Sequence, residues 1–425
     1  MIILMNDERD ILLRSTITHL TACSVRVTEE IARGSNVSVI YLVDTLIAHA
    51  YAARASDIHI DPTAHAVVVR FRIDGVLEKV HIVPLMLHVE IIARLKILCG
   101  LRTDEHQVAQ DGRFRLVIDD TIEVDVRVSI VPLYYGENAV LRLLVGKTEM
   151  YTLEKLGFTT SNQLKIKSAL AQSYGMILST GPTGSGKTTT LYTLIQMLAT
   201  AESSIITIED PIEYAIPGIN QIQVNTRTGL TFANGLRSML RQDPNIIMVG
   251  EIRDIETAAL AVNISLTGHL ILSTLHTNDA ATTLPRLLDM HVEPYLIAST
   301  VTLAISQRLL RLLCVHCKQE KKLTAIESGS LADFIPTDML QSTLSVWISI
   351  GCSYCSGTGY YGRIGVHEVL VMDTTIREAV LERASASKLR MLAMKKGMEP
   401  LMVDGFRKVL LGLTSVEELL TIRYE

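Results

Sequence analysis

Eight consecutive residues carry the clearest chemistry in this sequence. Positions 181–188 fit the pattern G-x-x-x-x-G-K-[ST]. Glycines in such a loop let backbone N–H groups turn toward an anion, and the helix that follows adds the positive end of its dipole. Lys187 is placed to reach the β- and γ-phosphates of a nucleotide, and the Thr188 hydroxyl to ligate Mg²⁺. The predicted nucleotide-binding residues of this segment are Gly181, Pro182, Thr183, Gly184, Ser185, Gly186, Lys187, Thr188 and Thr189.

The residues on either side of this loop decide between a phosphate-binding loop and a surface loop that fits the pattern by chance. Residues 176–180 form a short apolar run that predicts a buried strand. Residues 189–199 place leucines on one face of a predicted helix. A strand, a loop and a helix in this order are the context that phosphate binding requires, so we favour the functional interpretation.

A second segment ends an apolar strand in carboxylates. Residues 205–208 predict the strand, and Glu209 and Asp210 follow it before Pro211. Carboxylates at the carboxyl end of a strand lie beside the phosphate loop in α/β nucleotide-binding folds. We expect Glu209 to orient or deprotonate a water molecule, or to support the magnesium shell. The alternative is a solvated acidic turn.

A third segment, residues 245–254, looks like a Walker B strand. Gly250 stands where many such ATPases have an aspartate, so Glu251 must supply the carboxylate near Mg²⁺ and the attacking water. Arg253 and Asp254 are expected to pair with each other or across a subunit boundary. Which of the two glutamates, Glu209 or Glu251, is the general base stays open.

His276 follows another predicted strand, residues 270–275. It is a candidate to sense or stabilise the γ-phosphate, although a lone histidine is more often structural.

The uncharged segment 257–279 is long enough to suggest a membrane span, but its polar residues and Gly268 predict a helix and then a strand. The first ten residues do not resemble a signal peptide, so we expect a cytoplasmic protein. The predicted catalytic residues are Lys187, Glu209, Glu251 and His276, and the predicted Mg²⁺ ligands are Thr188 and Glu251.

The cysteine spacing predicts a metal site. Two C-x-x-C pairs, separated by a long loop, are typical of a closed, structural Zn²⁺ site. Two disulfides or a redox pair are the alternative, which a reducing cytoplasm disfavours. His316, inside the first pair, is not needed as a ligand and is expected to be solvated. The predicted zinc ligands are Cys314, Cys317, Cys352 and Cys355.

Length and composition indicate several domains. The chain has 425 residues, with 40 basic and 45 acidic side chains and a net charge of −5. This balance gives no support to a nucleic-acid partner. Strand patterns with period two predict an α+β domain before position 150, alternating strands and helices predict an α/β core after it, and the end of the chain is predicted to be helical. The expected divisions are 1–145 (N-terminal domain), 146–152 (linker), 153–307 (ATPase core), 308–370 (zinc module) and 371–425 (helical region).

Together these motifs resemble the secretion ATPase superfamily, and within it the type II secretion and type IV pilus assembly ATPases. The resemblance covers nearly the whole chain. Residues 208–213 are similar to the family's Asp box, 249–254 to its Walker B segment, including the glycine, and 274–278 to its His box. Further family-like segments are 55–60, 71–75, 126–129, 141–144, 236–244 and 358–363, the last of which, with the four cysteines, matches the zinc-bearing assembly members.

The resemblance implies a homohexameric motor with a RecA-like core and a PAS-like N-terminal domain. Hydrolysis of ATP would move the front domains and act on a polytopic inner-membrane platform protein, which adds pilin subunits to a filament. The motor would be attached peripherally to the inner membrane through its partners. In relatives, arginines matching Arg127 and Arg142 reach the nucleotide phosphates; the alternative is a pair of surface arginines. Only about 55 residues precede the first family segment, which we expect to be too few for both the additional docking domain of many assembly members and the usual start of the next domain.

Three rival functions are weighed against this one. A pilus-retraction ATPase shares the core, but such relatives typically lack the four cysteines. A RecA-type DNA motor should have basic loops that face DNA, and no nucleic acid is expected here. A nucleotide-binding scaffold without activity would have lost its carboxylates, whereas Glu209 and Glu251 are present. Pilus assembly and type II secretion are not separated by these motifs.

Overall fold

The computed structural model describes residues 20–118, 122–145, 151–342 and 345–423. Contacts between Cα atoms divide the chain into two units, Met1–Lys147 and Thr148–Glu425, and each is treated by itself below. Most of the predicted linker, residues 146–150, and the first ten residues lie outside the described ranges.

The first unit is an antiparallel sheet with helices packed on one face. Within the described residues, the strand order is β3-β2-β1-β6-β5-β4. Its elements are α1 (20–32), α2 (Val39–Ala52), β1 (Ala55–Pro62), β2 (Ala66–Ile73), β3 (Val76–Pro84), α3 (His88–Cys99), β4 (Gln110–Ile118), β5 (Ile122–Leu133) and β6 (Gly136–Val145).

Period-two alternation builds this sheet. In β5, Val124, Val126 and Val128 are buried in the core, so the residues between them, including Arg127, lie on the opposite face. A capping residue marks the start of α2: the Ser38 side chain accepts a hydrogen bond from the backbone N–H of Tyr41. The fold of the first unit is therefore the α+β arrangement that its sequence pattern predicts.

The second unit contains a mixed sheet flanked by helices. In the described part of the chain its order is β15-β12-β7-β11-β10-β8-β9, and every neighbouring pair is parallel except β12 with β15. The elements up to β12 are α4 (Thr160–Leu170), β7 (Gly175–Thr180), α5 (Lys187–Leu198), β8 (Ile205–Glu209), β9 (Asn220–Gln223), α6 (Phe232–Met239), β10 (Ile246–Val249), α7 (Ile255–Leu266), β11 (Leu270–Leu275), α8 (Thr283–Asp289), α9 (Pro294–Thr300) and β12 (Val301–Leu313).

A smaller subdomain and the C-terminal helices complete the second unit. They comprise β13 (Gln319–Lys322), α10 (Ala325–Leu331), α11 (Thr337–Ser342), β14 (Ser345–Ile348), β15 (Tyr360–Val371), α12 (Thr374–Leu381), α13 (Ala386–Lys395), α14 (Leu401–Leu410) and α15 (Val416–Thr421). Strands β13 and β14 pair with each other, whereas β15 pairs with β12 along nearly its whole length. The expected zinc module, 308–370, therefore begins inside β12 and ends inside β15, and both strands belong to the main sheet. The boundary at position 307 does not separate two elements, because β12 continues past it.

Parallel pairing brings the carboxyl ends of four strands together. Thr180 at the end of β7 is opposite Leu275 at the end of β11, and Val249 of β10 is opposite both Ser273 and Ile208. The segments that follow these strands are those that carry the phosphate loop, the two glutamates and His276, so the sheet gathers them at one edge. Segment 257–279 contains most of α7 and all of β11. Across the described ranges, no helix has the length and apolar character needed to cross a membrane.

Candidate nucleotide and metal sites

The phosphate loop joins β7 to α5, and α5 begins at Lys187 itself, two residues earlier than predicted. Two of its glycines are required by their surroundings. Gly181 has φ +143°, and a Cβ atom there would lie 2.5 Å from the carbonyl oxygen of Gln307. At Gly186, φ is +87° and a Cβ atom would lie 2.6 Å from Gln307 Nε2. Only glycine fits such positions, so the loop is held closely against β12.

Lys187 is a buried cation in the centre of this loop. Its Nζ donates hydrogen bonds of 2.8 Å to the carbonyl oxygens of Gly181 and Pro182. The pKa of Lys187 is lowered to about 8, chiefly by burial and also by the charge of Arg308, while the charge of Glu251 acts in the opposite direction. The amine is therefore desolvated and lies within electrostatic range of the carboxylate predicted to act at this site.

Glu251 joins the Walker B and His-box segments. Its side chain is buried, with the whole residue 8% exposed. Oε2 accepts from Arg253 Nε at 2.5 Å and lies 3.2 Å from Nε2 of the half-exposed His276. Arg253 therefore pairs with Glu251 and not with Asp254, whose carboxylate accepts from the backbone N–H and hydroxyl of Thr257 and caps α7. The alternative, a pairing across a subunit boundary, remains a prediction.

The glycine that departs from the usual Walker B pattern has a steric cause. A Cβ atom at Gly250 would lie 3.3 Å from both Glu209 Cα and the carbonyl oxygen of Ile208. Both neighbours are backbone atoms of β8, and the Gly250 N–H donates to the same carbonyl at 2.8 Å. A side chain here would require the backbone of β8 to shift by a few tenths of an ångström. The carboxylate of this segment is therefore carried by the next residue, Glu251.

Glu209 is a buried carboxylate, only 2% exposed, so a solvated acidic turn does not describe it. One oxygen accepts from the Thr207 hydroxyl at 2.6 Å and from Gln221 Nε2 at 3.1 Å. The other oxygen accepts from the hydroxyl of Tyr192, a residue of α5. Glu209 thus links the end of β8 to the helix that follows the phosphate loop. Asp210, the second carboxylate of the segment, is exposed.

Sequence reasoning missed two residues that hold this loop. Tyr192 is fully buried on α5, and Gln307 is buried in β12. The Gln307 side-chain oxygen accepts a hydrogen bond of 2.6 Å from the hydroxyl of Thr190. The available signal was a polar triplet, residues 306–308, that interrupts the apolar run of β12.

The arginines predicted to reach phosphate lie side by side on the first unit's sheet. Arg127 of β5 is directly opposite Arg142 of β6, and Arg113 of β4 is opposite Arg127 on its other side. Arg142 Nε donates to Asp57 at 2.9 Å and is largely exposed. Like charges directly across a strand pair are destabilising. Such a row is therefore suited to bind an anion, and contact with nucleotide remains a prediction.

The four paired cysteines converge on one point. Their sulfur atoms all lie within 4.8 Å of one another, and three of the distances are 3.7, 3.8 and 3.9 Å. Sulfurs at about 2.3 Å from a tetrahedral Zn²⁺ are about 3.8 Å apart, so the arrangement fits the ion. The sulfur atoms are too far apart to be disulfide-bonded in this structure, so the geometry favours the metal site over the disulfide alternative. His316 is exposed and packs on Tyr354.

Backbone donors favour the thiolate form of one ligand. Burial would raise the pKa of Cys355, but the N–H groups of Cys352 and Gly359 donate to its sulfur and lower the pKa to about 7. Burial raises the pKa of Cys314 to about 12 in the absence of a cation. Four thiols gathered in this way need a bound cation to be deprotonated together.

Comparisons with known proteins agree with this geometry. Residues 33–421 match the family described as "Type II/IV secretion system protein". The type IV pilus assembly ATPase PilB of Myxococcus xanthus is 43% identical over 392 residues, which are 92% of this chain and 69% of that protein. The type II secretion system protein E of Aeromonas hydrophila is 42% identical over 388 residues, 91% of this chain and 76% of that protein.

A solved structure supports the same assignment. The pilus retraction motor PilT with bound ADP has a TM-score of 0.58 and 26% identity to this chain, and the match covers 89% of this chain and 96% of that one. The family match and the two relatives each extend over more than nine tenths of the sequence. The chain belongs to the type II/IV secretion system protein family, as one of its ATPases.

Proposed function

We propose that this protein hydrolyses Mg-ATP to drive assembly of a type IV pilus or of a type II secretion pseudopilus. The observation that carries the proposal is the convergence of Lys187, Glu251 and His276 beside a glycine-rich loop. The names of the relatives, a pilus assembly ATPase and a type II secretion protein, supply the process that hydrolysis serves. The similarity to a retraction motor is weaker, at 26% identity, and the four-cysteine cluster favours the assembly branch.

Phosphate binding uses the loop and Lys187. The backbone N–H groups at the start of α5 are oriented toward the phosphate position. Lys187 already makes hydrogen bonds to two carbonyl oxygens of the loop, so it exchanges them for phosphate oxygens without leaving its place. A desolvated ammonium group there stabilises the charge that develops on the transferred phosphoryl group.

The oxygen-bearing side chains at the site indicate which residues would hold the metal and which would orient the attacking water. Thr188 and Glu251 would hold Mg²⁺, a hard cation that prefers oxygen ligands of this kind. Bound Mg²⁺ would neutralise charge on the phosphate oxygens. We assign Glu251 to orient and deprotonate the attacking water. Its hydrogen-bond partners are the side chains of Arg253 and His276, which can give way to a water molecule. Glu209, with both oxygens committed to Tyr192, Thr207 and Gln221, acts by holding β8 in position.

The remaining features belong to the assembled motor. We infer that Zn²⁺ is held by Cys314, Cys317, Cys352 and Cys355 and fixes the subdomain between them. The chains form a homohexamer, in which Arg127 and Arg142 contact ATP phosphates when domains close and so couple hydrolysis to motion. The hexamer acts on a polytopic platform protein and is attached peripherally to the inner membrane through it.

The experiment is steady-state ATP hydrolysis by the purified protein and by Lys187→Ala, with Lys167→Ala as the matched control. Lys167 is an exposed lysine of α4, away from the loop. We expect turnover to be nearly abolished in Lys187→Ala and unchanged in the control, with both variants folded. Turnover by Lys187→Ala within about threefold of the unmodified protein would reject the site.

The biological process needs a separate test. We expect the gene to restore surface filaments or secretion in a strain that lacks its own assembly ATPase. The Lys187→Ala variant should not restore them. Restoration by both versions, or by neither although the protein is folded and active as an ATPase, would contradict a role in assembly.

A further inference from the structure

A buried guanidinium group lies directly behind the phosphate loop. Arg308 of β12 is only 4% exposed, although arginine is rarely buried to this extent. Its Nη1 atom would be 3.2 Å from a Cβ atom built on Gly181, the first residue of the loop. A charge buried at such a place costs stability unless its hydrogen bonds are satisfied and its charge is balanced.

The hydrogen bonds of Arg308 join two parts of the nucleotide site. Nη1 donates to the carbonyl oxygen of Gln307 at 3.1 Å, and Nη2 donates to the carbonyl oxygen of Asn278 at 3.0 Å. Gln307 is the residue that packs against the loop glycines and accepts from Thr190 of α5. Asn278 lies two residues beyond His276. Arg308 therefore holds the segment that carries His276 by a hydrogen bond and lies close to the first glycine of the phosphate loop.

The counter-charge comes from Glu368 of β15. Glu368 is opposite Ser306 in the register, which places it on the same face of the sheet as Arg308. It is fully buried, and among the described residues neither of its oxygens has a hydrogen-bond partner. Burial raises the pKa of Glu368 to about 7, while the charges of Arg390 and Arg308 act to lower it.

A second guanidinium reaches the same segment from α13. Arg390 lies 3.9 Å from the carboxylate of Asp279, which directly follows Asn278, and 3.8 Å from Glu368. Glu368 thus pairs with Arg390 and interacts electrostatically with Arg308, and each of these arginines contacts one residue of the segment after His276. This arrangement gives the segment a fixed position relative to the phosphate loop.

We propose that Arg308, balanced by Glu368, is a positioning residue for ATP hydrolysis: it fixes the His276 segment relative to the phosphate loop. Arg308 need not touch the substrate for this role. Loss of the bridge lets His276 and its partner Glu251 move relative to Lys187, and small displacements of this kind reduce turnover more than binding. The inference rests on the proposed ATP hydrolysis at this site.

A positioning role predicts a split between turnover and binding. Loss of Arg308 should lower kcat while nucleotide affinity changes little, because the groups of the phosphate loop that bind nucleotide stay in place. A lysine at position 308 keeps the charge but cannot donate to both carbonyls with the fork geometry of arginine.

The experiment compares Arg308→Gln and Arg308→Lys with Arg311→Gln, which removes another arginine of β12, three residues further along the strand, that pairs with Glu418. ATP turnover and ADP affinity are measured for each variant. We expect kcat to fall at least about tenfold in both Arg308 variants, with ADP affinity within about threefold. Arg311→Gln should match the unmodified protein in both measurements.

Three results would overturn the proposal: normal kcat in Arg308→Gln, an equal loss in Arg311→Gln, or normal kcat in Arg308→Lys. If Arg308→Gln does not fold, Arg308→Lys still tests the proposal, because lysine keeps the positive charge but cannot make both hydrogen bonds. An unmodified protein that binds ADP but does not hydrolyse ATP would count against the proposed function. An active unmodified protein together with an equally active Arg308→Gln variant would count against the role of Arg308 alone.

Discussion

At the scale of single residues, the site depends on one buried cation and one buried carboxylate. Lys187 is held by carbonyl oxygens of its own loop, and Glu251 by Arg253 and His276. Each is poorly solvated, so charge that develops on a phosphate between them is weakly screened. The spacing of the loop motif was enough to predict Lys187. The partner of Arg253 was not predictable, because it depends on the backbone direction at the end of β10.

The lowered pKa of Lys187 predicts a pH dependence of nucleotide binding. Only the protonated amine attracts phosphate, and in the free protein the proton is lost as pH rises through about 8. Affinity for ADP should therefore be constant from pH 7 to about 8 and fall above it, by up to about tenfold per pH unit. Fluorescence titration across this range measures the effect. Lys187→Ala should bind weakly at every pH, and a matching decline in that variant would assign the effect to another group.

At the scale of elements, the positions of the strands that form the sheet edge were largely predictable from the sequence. The pairing of strands that are far apart in sequence was not. Strand β11 was predicted at its observed bounds, and the helix and strand of segment 257–279 were both expected. The pairing of β12 with β15 joins residues far apart in sequence, and no local pattern encodes such a contact. For the same reason Tyr192 and Gln307 were missed: each is defined by its partner on another element.

The contact between α5 and β8 predicts a stability effect. Tyr192→Phe removes the hydroxyl that donates to buried Glu209, and leaves a carboxylate oxygen without that donor. We expect the free energy of unfolding to fall by about 1–3 kcal/mol. Chemical denaturation measures it, with Tyr174→Phe, an exposed tyrosine, as control. Equal stability of the two variants would show that the Glu209 contact is not needed to hold β8.

The cysteine cluster predicts a metal that stabilises the subdomain between β12 and β15. Elemental analysis should find about one Zn²⁺ per chain, lost in Cys352→Ser but kept in Cys99→Ser, whose thiol lies in the first unit. Loss of the ion should expose residues 318–351 to proteolysis before the nucleotide site, because the ligands lie at the ends of that segment. Purified protein without zinc and with oxidised cysteines would reject the assignment.

At the scale of the whole molecule, two units carry different parts of the proposed activity. The second unit holds the phosphate loop, the carboxylates and the cysteines, and the first unit holds the row of Arg113, Arg127 and Arg142. The alternation of apolar and polar residues in β5 predicts, from the sequence alone, that Arg127 lies on the polar face. The strand register then placed Arg127 directly opposite Arg142, a pairing that sequence pattern alone does not give.

The arginine row predicts that the first unit takes part in hydrolysis. Arg127→Ala and Arg142→Ala should each lower kcat by on the order of 10³-fold, as expected for arginine fingers, with nucleotide affinity much less affected. The control is Arg115→Ala, an exposed arginine on β4 that pairs with Asp125 and Glu123. Near-normal turnover in both variants would assign Arg127 and Arg142 to surface ion pairs, which contribute at most about 1 kcal/mol.

The most direct test of the account is the ATP turnover of Glu251→Gln, compared with Glu256→Gln, an exposed glutamate of α7. Glutamine preserves the size of the side chain but cannot accept a proton from water. The account predicts that kcat falls by about 10²–10⁴-fold in Glu251→Gln, with ATP still bound, and that Glu256→Gln is unaffected. Turnover by folded Glu251→Gln at the rate of the unmodified protein would contradict the claim that hydrolysis takes place where Lys187, Glu251 and His276 meet.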